Sequence, residues 1–210
     1  AYLVPLALFA RANGCTVGVS TNTRGLQDQL DRKDLPLLDR ALGGDGSGES
    51  DRPGALRWQV VKGRANYVCR QAWRDQLAAL DNQSSDSERV TLAYLGAIAA
   101  GPGNGEIAQV RSRMRSRYPE IGVFAERMRA ADCNGQGRHE SCPTGRVAAG
   151  ARRAHVVIIN HALLMTGSQL LPELEHLVID EAHALEQRAG GVFAQEVSGR
   201  ELSRVVLRLG

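Results

Sequence analysis

The sequence predicts an α/β domain built on a parallel sheet, and three observations carry that prediction. Short continuous apolar runs, "CTVGVST" (15–21), "HVVIIN" (155–160) and "HLVID" (176–180), have strand length and no polar face. Runs of this kind suit strands buried on both faces of a parallel sheet. Helical patterns alternate with them, as in α/β domains. From about residue 65 to 150 the alternation is interrupted by helical, cysteine-bearing sequence that reads as an insertion.

Taken in order, residues 1–13 read as a buried helix stopped near Gly14, with Pro5 either kinking it or lying in its first turns. Residues 15–21 are a short buried strand. "NTRGLQDQLDRKDLPLL" (22–38) follows as a helix with Leu26 and Leu30 one turn apart on its inward face. "GGDGSGESDRPG" (43–54) is a loop of turn formers, and "RWQVVKG" (57–63) a strand ended by Gly63. Residues 70–80 and 106–130 look helical, separated by the polar "DNQSSDSE" and by "GPGNG". "CNGQGRHESCPTG" (133–145) is an irregular loop, and the remaining two strands close the pattern. No internal repeat is present.

Composition excludes several classes. The chain has 210 residues, 43% hydrophobic and 23% charged, which is ordinary for a globular protein. No apolar run approaches the ~20 residues of a membrane helix. The opening "AYLVPLALFA" lacks the basic start of a secretory signal. Four irregularly spaced cysteines without a sign of export argue against a disulfide framework and for a reducing, intracellular setting. Net charge is +3, unevenly spread: residues 62–154 hold 15 Lys/Arg and 9 Asp/Glu, which makes that segment +6 and the remainder −3. The middle of the chain is therefore the better face for a polyanion, or else an ordinary solvated surface.

"HLVIDEAH" ends an apolar strand in two adjacent acids, Asp180 and Glu181. In an open parallel sheet, ligands sit outside the carboxyl ends of the strands. Mg²⁺ prefers carboxylate oxygens and water together with substrate phosphates. One acid can hold the metal while its neighbour orients or deprotonates an attacking water. A helix-capping Asp-Glu pair is the plainer alternative. The tetrapeptide Asp180-Glu181-Ala182-His183 resembles the DEAH form of the Walker B motif in superfamily 2 helicases. "VSTNTRGLQDQLDRKDLPLL" (19–38) resembles motif Ia of the XPD/DinG group of DNA helicases. "KGRANYVC" (62–69) resembles the start of that group's iron–sulfur domain, and "ARRAHVVIINHALLM" (151–165) the segment by which the chain leaves it. Order and spacing agree over most of the sequence, and the bacterial DinG branch is the nearer one.

The resemblance implies a fold: a P-loop NTPase (RecA-like) helicase domain 1, incomplete, with an inserted, mostly helical iron–sulfur-type domain. Residues 1–64 would be its first part and 65–150 the insertion. Residues 151–190 would be the rest of domain 1 with DEAH, and 191–210 the start of an Arch-like domain. No GxxxxGK[ST] phosphate cradle occurs. The family's P-loop precedes an apolar helix resembling residues 1–10, so the chain is expected to be a fragment, inactive alone, of an ATP-dependent helicase. In that helicase Asp180 holds Mg²⁺, Glu181 activates the water that attacks ATP, and His183 couples nucleotide state to the nucleic-acid site.

Clustered soft thiolates favour an iron–sulfur cluster or zinc. By the resemblance, Cys69, Cys133 and Cys142 are three ligands of a 4Fe–4S cluster. The family's remaining cysteine, expected between 133 and 142, is missing. His139 is a candidate fourth ligand, with Asp132 a weaker one; a three-cysteine cluster, or none, stays open. Cys15 reads as a buried free thiol.

For DNA, "RSRMRSR" (111–117) sets arginines at every second position, including Arg111 and Arg113. They share one face if the segment is extended and spread if it is helical. Tyr67 could stack on a base or pack against the cluster. Thr21, Asn22 and Thr23 resemble motif Ia positions that touch the DNA backbone, and they could also cap the next helix. The expected parent is a cytoplasmic, nucleoid-associated, monomeric bacterial helicase, moving 5′ to 3′ on single-stranded or forked DNA in repair or replication. The alternatives are a non-catalytic nucleic-acid-binding protein and a zinc-binding interaction module.

Overall fold

The computed structural model describes residues 2–48, 52, 54–101, 103–130 and 142–194. Cys133, His139 and Asp132, and the expected Arch-like start from residue 195, lie outside the described residues.

Four strands form one parallel sheet in the order β2-β3-β1-β4. They are β1 (Val17–Thr21), β2 (Trp58–Val60), β3 (Val156–Asn160) and β4 (His176–Ile179). The alternation of side chains along β3 builds both faces. Val157 and Ile159 pack on one side with Val61, Tyr67, Val147, Ala151 and Leu163. Val156 and Ile158 pack on the other with Ala7, Val19, Leu30, Leu35 and Trp58. A period of two with both sets apolar is why the run "VVII" shows no polar face.

β4 departs from the expectation of a strand buried on both faces. Leu177 and Ile179 are 39% and 36% exposed, because β4 pairs only with β1 among the described residues and forms the sheet edge. A continuous apolar run specifies strand, but it does not say how many neighbours cover it.

α1 (Leu3–Asn13) ends at Gly14, whose left-handed φ of 61° places its N–H on Ala10 O, the expected glycine stop. Pro5 sits in the first turn, where its missing N–H costs nothing. The helix is only half-buried: Ala7 and Ala10 face the sheet, while Val4, Leu8 and Phe9 are exposed.

After β1, Thr23 caps α2 (Arg24–Gln29), its hydroxyl taking the Leu26 N–H. A π-helical segment, Leu30–Asp34, leads into α3 (Leu35–Ala41). Pro36 lies at the start of α3. A proline there removes one N–H and crowds the carbonyl four residues back, and the widened turn relieves both. Leu30 is buried as expected, whereas Gln27, not Leu26, is the fully buried neighbour on α2. Buried Asp39 accepts the N–H groups of Gly46 and Leu56 and so ties the glycine-rich loop to the sheet.

Between β2 and β3 the chain builds a helical layer with its own core of Val68, Leu92, Leu95, Val110, Ile121, Phe124 and Met128. Its helices are α4 (Arg70–Ala78), α5 (Asp86–Ala100), α6 (Ser112–Arg117), α7 (Glu120–Arg127) and α8 (Pro143–Arg153). The polar stretch 81–88, expected to separate helices, ends in the start of α5. Ser85 and Glu88 form a reciprocal capping box, which turns a polar run into a helix start. The expected helix over 106–130 is two short ones with a break at Tyr118 and Pro119. The region 155–194 continues with α9 (His161–Thr166), β4, a 3₁₀ turn over Ala182–Ala184, and α10 (Leu185–Phe193).

Candidate functional site

Parallel register brings the carboxyl ends of β1, β3 and β4 into one row. Thr21 stands opposite Asn160, and the Asp180 N–H continues the ladder onto Ser20 O at 2.9 Å. Asp180 and Glu181 therefore lie at the sheet's carboxyl edge, where the sequence placed them.

Asp180 is half-buried. Its Oδ2 accepts the Tyr2 hydroxyl at 2.9 Å, and its Oδ1 accepts the Glu181 N–H at 3.0 Å. Burial first, and then the hydrogen bond and charge of Asp180, raise the Tyr2 hydroxyl well above the ordinary tyrosine range, so it stays a donor. One lone pair on each carboxylate oxygen is thus committed to orientation.

Glu181 takes a left-handed backbone (φ 53°, ψ 44°), which for a residue with a Cβ costs about 1 kcal/mol. This conformation turns the chain sharply from strand into the 3₁₀ turn. Its Oε2 is shielded from solvent with no hydrogen-bond partner among the described residues. A buried carboxylate oxygen without a donor is expensive, and a cation or an ordered water is what relieves it. The donor set at this edge, two adjacent carboxylates with one orphaned oxygen, fits a hard divalent ion with its water. His183 lies in the 3₁₀ turn and is exposed.

Several partners of this edge were not singled out in the sequence. Ser20 Oγ and His161 Nδ1 are 2.7 Å apart in the core. Arg188 Nε donates to Asn22 Oδ1 at 2.7 Å and joins α10 to the turn after β1. The only available signal was position: Ser20 precedes a strand end and His161 follows one.

Of the DNA candidates, Thr21 is fully buried and its hydroxyl donates to Thr23 O, so it serves the turn rather than an outside ligand. Asn22 is half-buried and Thr23 exposed. Arg111 and Arg113 are exposed, but α6 is helical, so the alternate arginines spread around it instead of sharing a face. Tyr67 is fully buried, its hydroxyl accepting the Lys62 N–H at 3.0 Å; it is core, and the stacking alternative is excluded.

Cys69 and Cys142 are buried and stand just before α4 and α8. Tyr67 and Val68 bridge to Glu106 and Arg129, Ala130 N donates to Tyr67 O, and Val68 N donates to Gly105 O. A Cβ on Gly105 would lie 2.6 Å from Pro143, so the chain beside Cys69 meets the chain beside Cys142. The backbone next to each of the two cysteines is therefore shared between the start of α4 and the start of α8. Among the described residues no set of three metal-ligating side chains converges. Cys15 is only partly buried, short of the expected buried thiol.

A parallel α/β domain with paired acids at its carboxyl edge is the class that fold and site define. No protein-family model matches the chain. Curated proteins do. It is 31% identical to the ATP-dependent helicase DinG of Mycobacterium tuberculosis, over the whole chain and 33% of that protein. It is 28% identical to the ATP-dependent DNA helicase YoaA of Escherichia coli, over 96% of the chain and 30% of the relative. It is also 28% identical to a Bacillus subtilis protein named 3′-5′ exonuclease DinG, over the whole chain and 21% of the relative. The chain is a relative of the DinG and YoaA helicases, matching at most about one third of their length.

Proposed function

We propose that the chain is part of an ATP-dependent DNA helicase and supplies the acidic, metal-facing half of its nucleotide site. The observation that carries this is the carboxyl-edge pair: Asp180 oriented by Tyr2, and Glu181 with a shielded Oε2 that has no partner among the described residues. When bound, Mg²⁺ would supply charge neutralisation of the phosphates. Asp180 is the residue to hold it, and Glu181 the residue to orient and deprotonate the attacking water. His183, exposed one turn onward, would pass nucleotide state to the nucleic-acid side. The whole protein would translocate 5′ to 3′ on single-stranded or forked DNA, as a cytoplasmic, nucleoid-associated monomer, in repair or replication.

On the DNA side, Asn22 and Thr23 would meet the backbone, with Thr21 holding their turn, and Arg111 and Arg113 would add sequence-independent phosphate contacts. The layer from 65 to 150 would be the inserted domain, between 1–64 and 151–190. Its cluster would be 4Fe–4S, held by Cys69, Cys133, Cys142 and His139. The convergence of the two cysteine neighbourhoods supports a structural role for it, as a staple between α4 and α8.

The test is Glu181→Gln in the protein that contains this chain. Nucleotide binding should persist and steady-state hydrolysis should fall by roughly 10²-fold or more. Unchanged turnover would remove Glu181 from the reaction. Metal analysis of anaerobically purified protein decides the cluster. Stoichiometric iron and sulfide, lost in Cys142→Ser, support it, and zinc without sulfide supports the interaction-module alternative.

A further inference from the structure

Two adjoining cavities, about 470 and 300 Å³, open at the amino edge of the sheet, the end opposite Asp180. They share Arg57 and His155, which stand just before β2 and β3. Arg11 and Arg52 complete the charged lining of the larger cavity, and Arg152 and Arg153 that of the smaller. Among the described residues no Asp or Glu lines either one. Arg11, Arg57, Arg152 and Arg153, with His155, make the described lining of the two adjoining cavities positive.

The guanidinium groups of Arg57 and Arg11 are held in place. Arg57 Nε donates to Arg153 O at 2.8 Å, which sets its fork between the two cavities. Arg11 Nη1 is shielded from solvent with no hydrogen-bond partner among the described residues, and its Nη2 lies 3.3 Å from where a Cβ on Gly54 would be. His155 holds the clearest sign of a missing acceptor. Its Nδ1 faces the Arg57 N–H at 3.1 Å, and its Nε2 faces Arg57 Nη2 at 3.2 Å. A neutral imidazole has one acceptor nitrogen and one N–H. Both nitrogens here face donors, so one contact sets donor against donor. An anionic oxygen accepting from both groups would resolve it. Burial, and then the charges of Arg57 and Arg11, hold the histidine below its ordinary range.

We propose that this arginine cavity is a phosphate-binding site, separate from the nucleotide edge and independent of the reading given above. It takes a phosphate-bearing group through the forks of Arg11 and Arg57, with Arg152 closing from the smaller cavity. Among the described residues the lining contains no Phe, Tyr or Trp, and its arginine forks suit recognition of the phosphate itself. The same chemistry is offered by a free polyphosphate and by the backbone of single-stranded DNA.

Inorganic pyrophosphate is the probe. Titrated into ¹⁵N-labelled protein, it should give saturable shifts at the Nε–Hε signals of Arg11 and Arg57 and move His155 toward protonation. By calorimetry, Arg11→Gln/Arg152→Gln should weaken binding by about tenfold or more. Arg11→Lys/Arg152→Lys should retain part of it, and Glu181→Gln should leave it unchanged. No saturable shift at these arginines in the wild-type protein overturns the site whatever the variants do. So does unchanged affinity in the glutamine variant, or affinity that depends on Glu181. Competition separates the sources. If unphosphorylated oligothymidine displaces pyrophosphate from these arginines, the ligand is a nucleic-acid backbone; if it does not, the ligand is a free polyphosphate.

Discussion

Replacing Tyr67 tests whether the segment before Cys69 is built for the core or for DNA. Tyr67 is the largest of the fully buried side chains, packed with Val61, Val147 and Ala151, and its hydroxyl takes the Lys62 N–H. Burial and the absence of solvent hold that hydroxyl protonated, above the usual tyrosine range. Tyr67→Ala removes the ring and leaves a cavity, at a cost of about 3–5 kcal/mol for an aromatic of this burial. For a chain of this length each kcal/mol moves Tm by ~2–4 °C, so a fall of roughly 6–20 °C is expected. Tyr67→Phe keeps the ring and strands the Lys62 N–H, which costs about 1–3 kcal/mol. Urea unfolding followed by far-UV circular dichroism, together with scanning calorimetry, reads both numbers. If Tyr67→Ala melts like wild type while losing single-stranded DNA affinity, the core assignment is wrong and the tyrosine is a stacking platform.

Three other outcomes follow from the geometry. Ser85→Ala removes one half of the capping box on α5 and should lower stability by about 0.5–2 kcal/mol, with a matching loss of the denaturation midpoint in urea. Gly105→Ala forces a Cβ at φ 71° and 2.6 Å from Pro143; it should destabilise by at least ~1 kcal/mol and loosen the junction beside Cys69 and Cys142, seen as faster alkylation of both thiols. His155 titrates below its ordinary 6.5 in the folded chain, so on acidification the unfolded chain takes up the proton first. Stability is fully present above about pH 6.5 and declines as pH falls from there toward the depressed value; His155→Gln should flatten that part of the stability–pH curve.

Local signals were legible where a residue's role is set by its immediate neighbours. "VVIIN" had to be a strand because only a two-faced apolar environment suits it, and Gly14 had to stop a helix because its φ is left-handed. The DEAH acids were legible because strand ends in parallel sheets point at ligands. Tyr2 was not, because nothing in "AYLV" says that a hydroxyl 178 residues away from Asp180 will orient it. α5 was hidden for a different reason. Its start is polar, and the capping that makes Ser85 and Glu88 helical was outweighed by composition.

By itself the sequence determined the α/β class, the placement of Asp180 and Glu181 at a carboxyl edge, and the relationship to DinG-type helicases, since periodicity and short motifs are one-dimensional. The tertiary structure alone decided that Tyr67 is core, that β4 is an edge among the described residues, that α6 scatters its arginines, and that Arg11 of α1, Arg57 before β2 and Arg152 and Arg153 at the end of α8 line two adjoining cavities. Those facts depend on which distant segments meet. Meeting is settled by the packing of whole faces, which no local stretch of residues encodes.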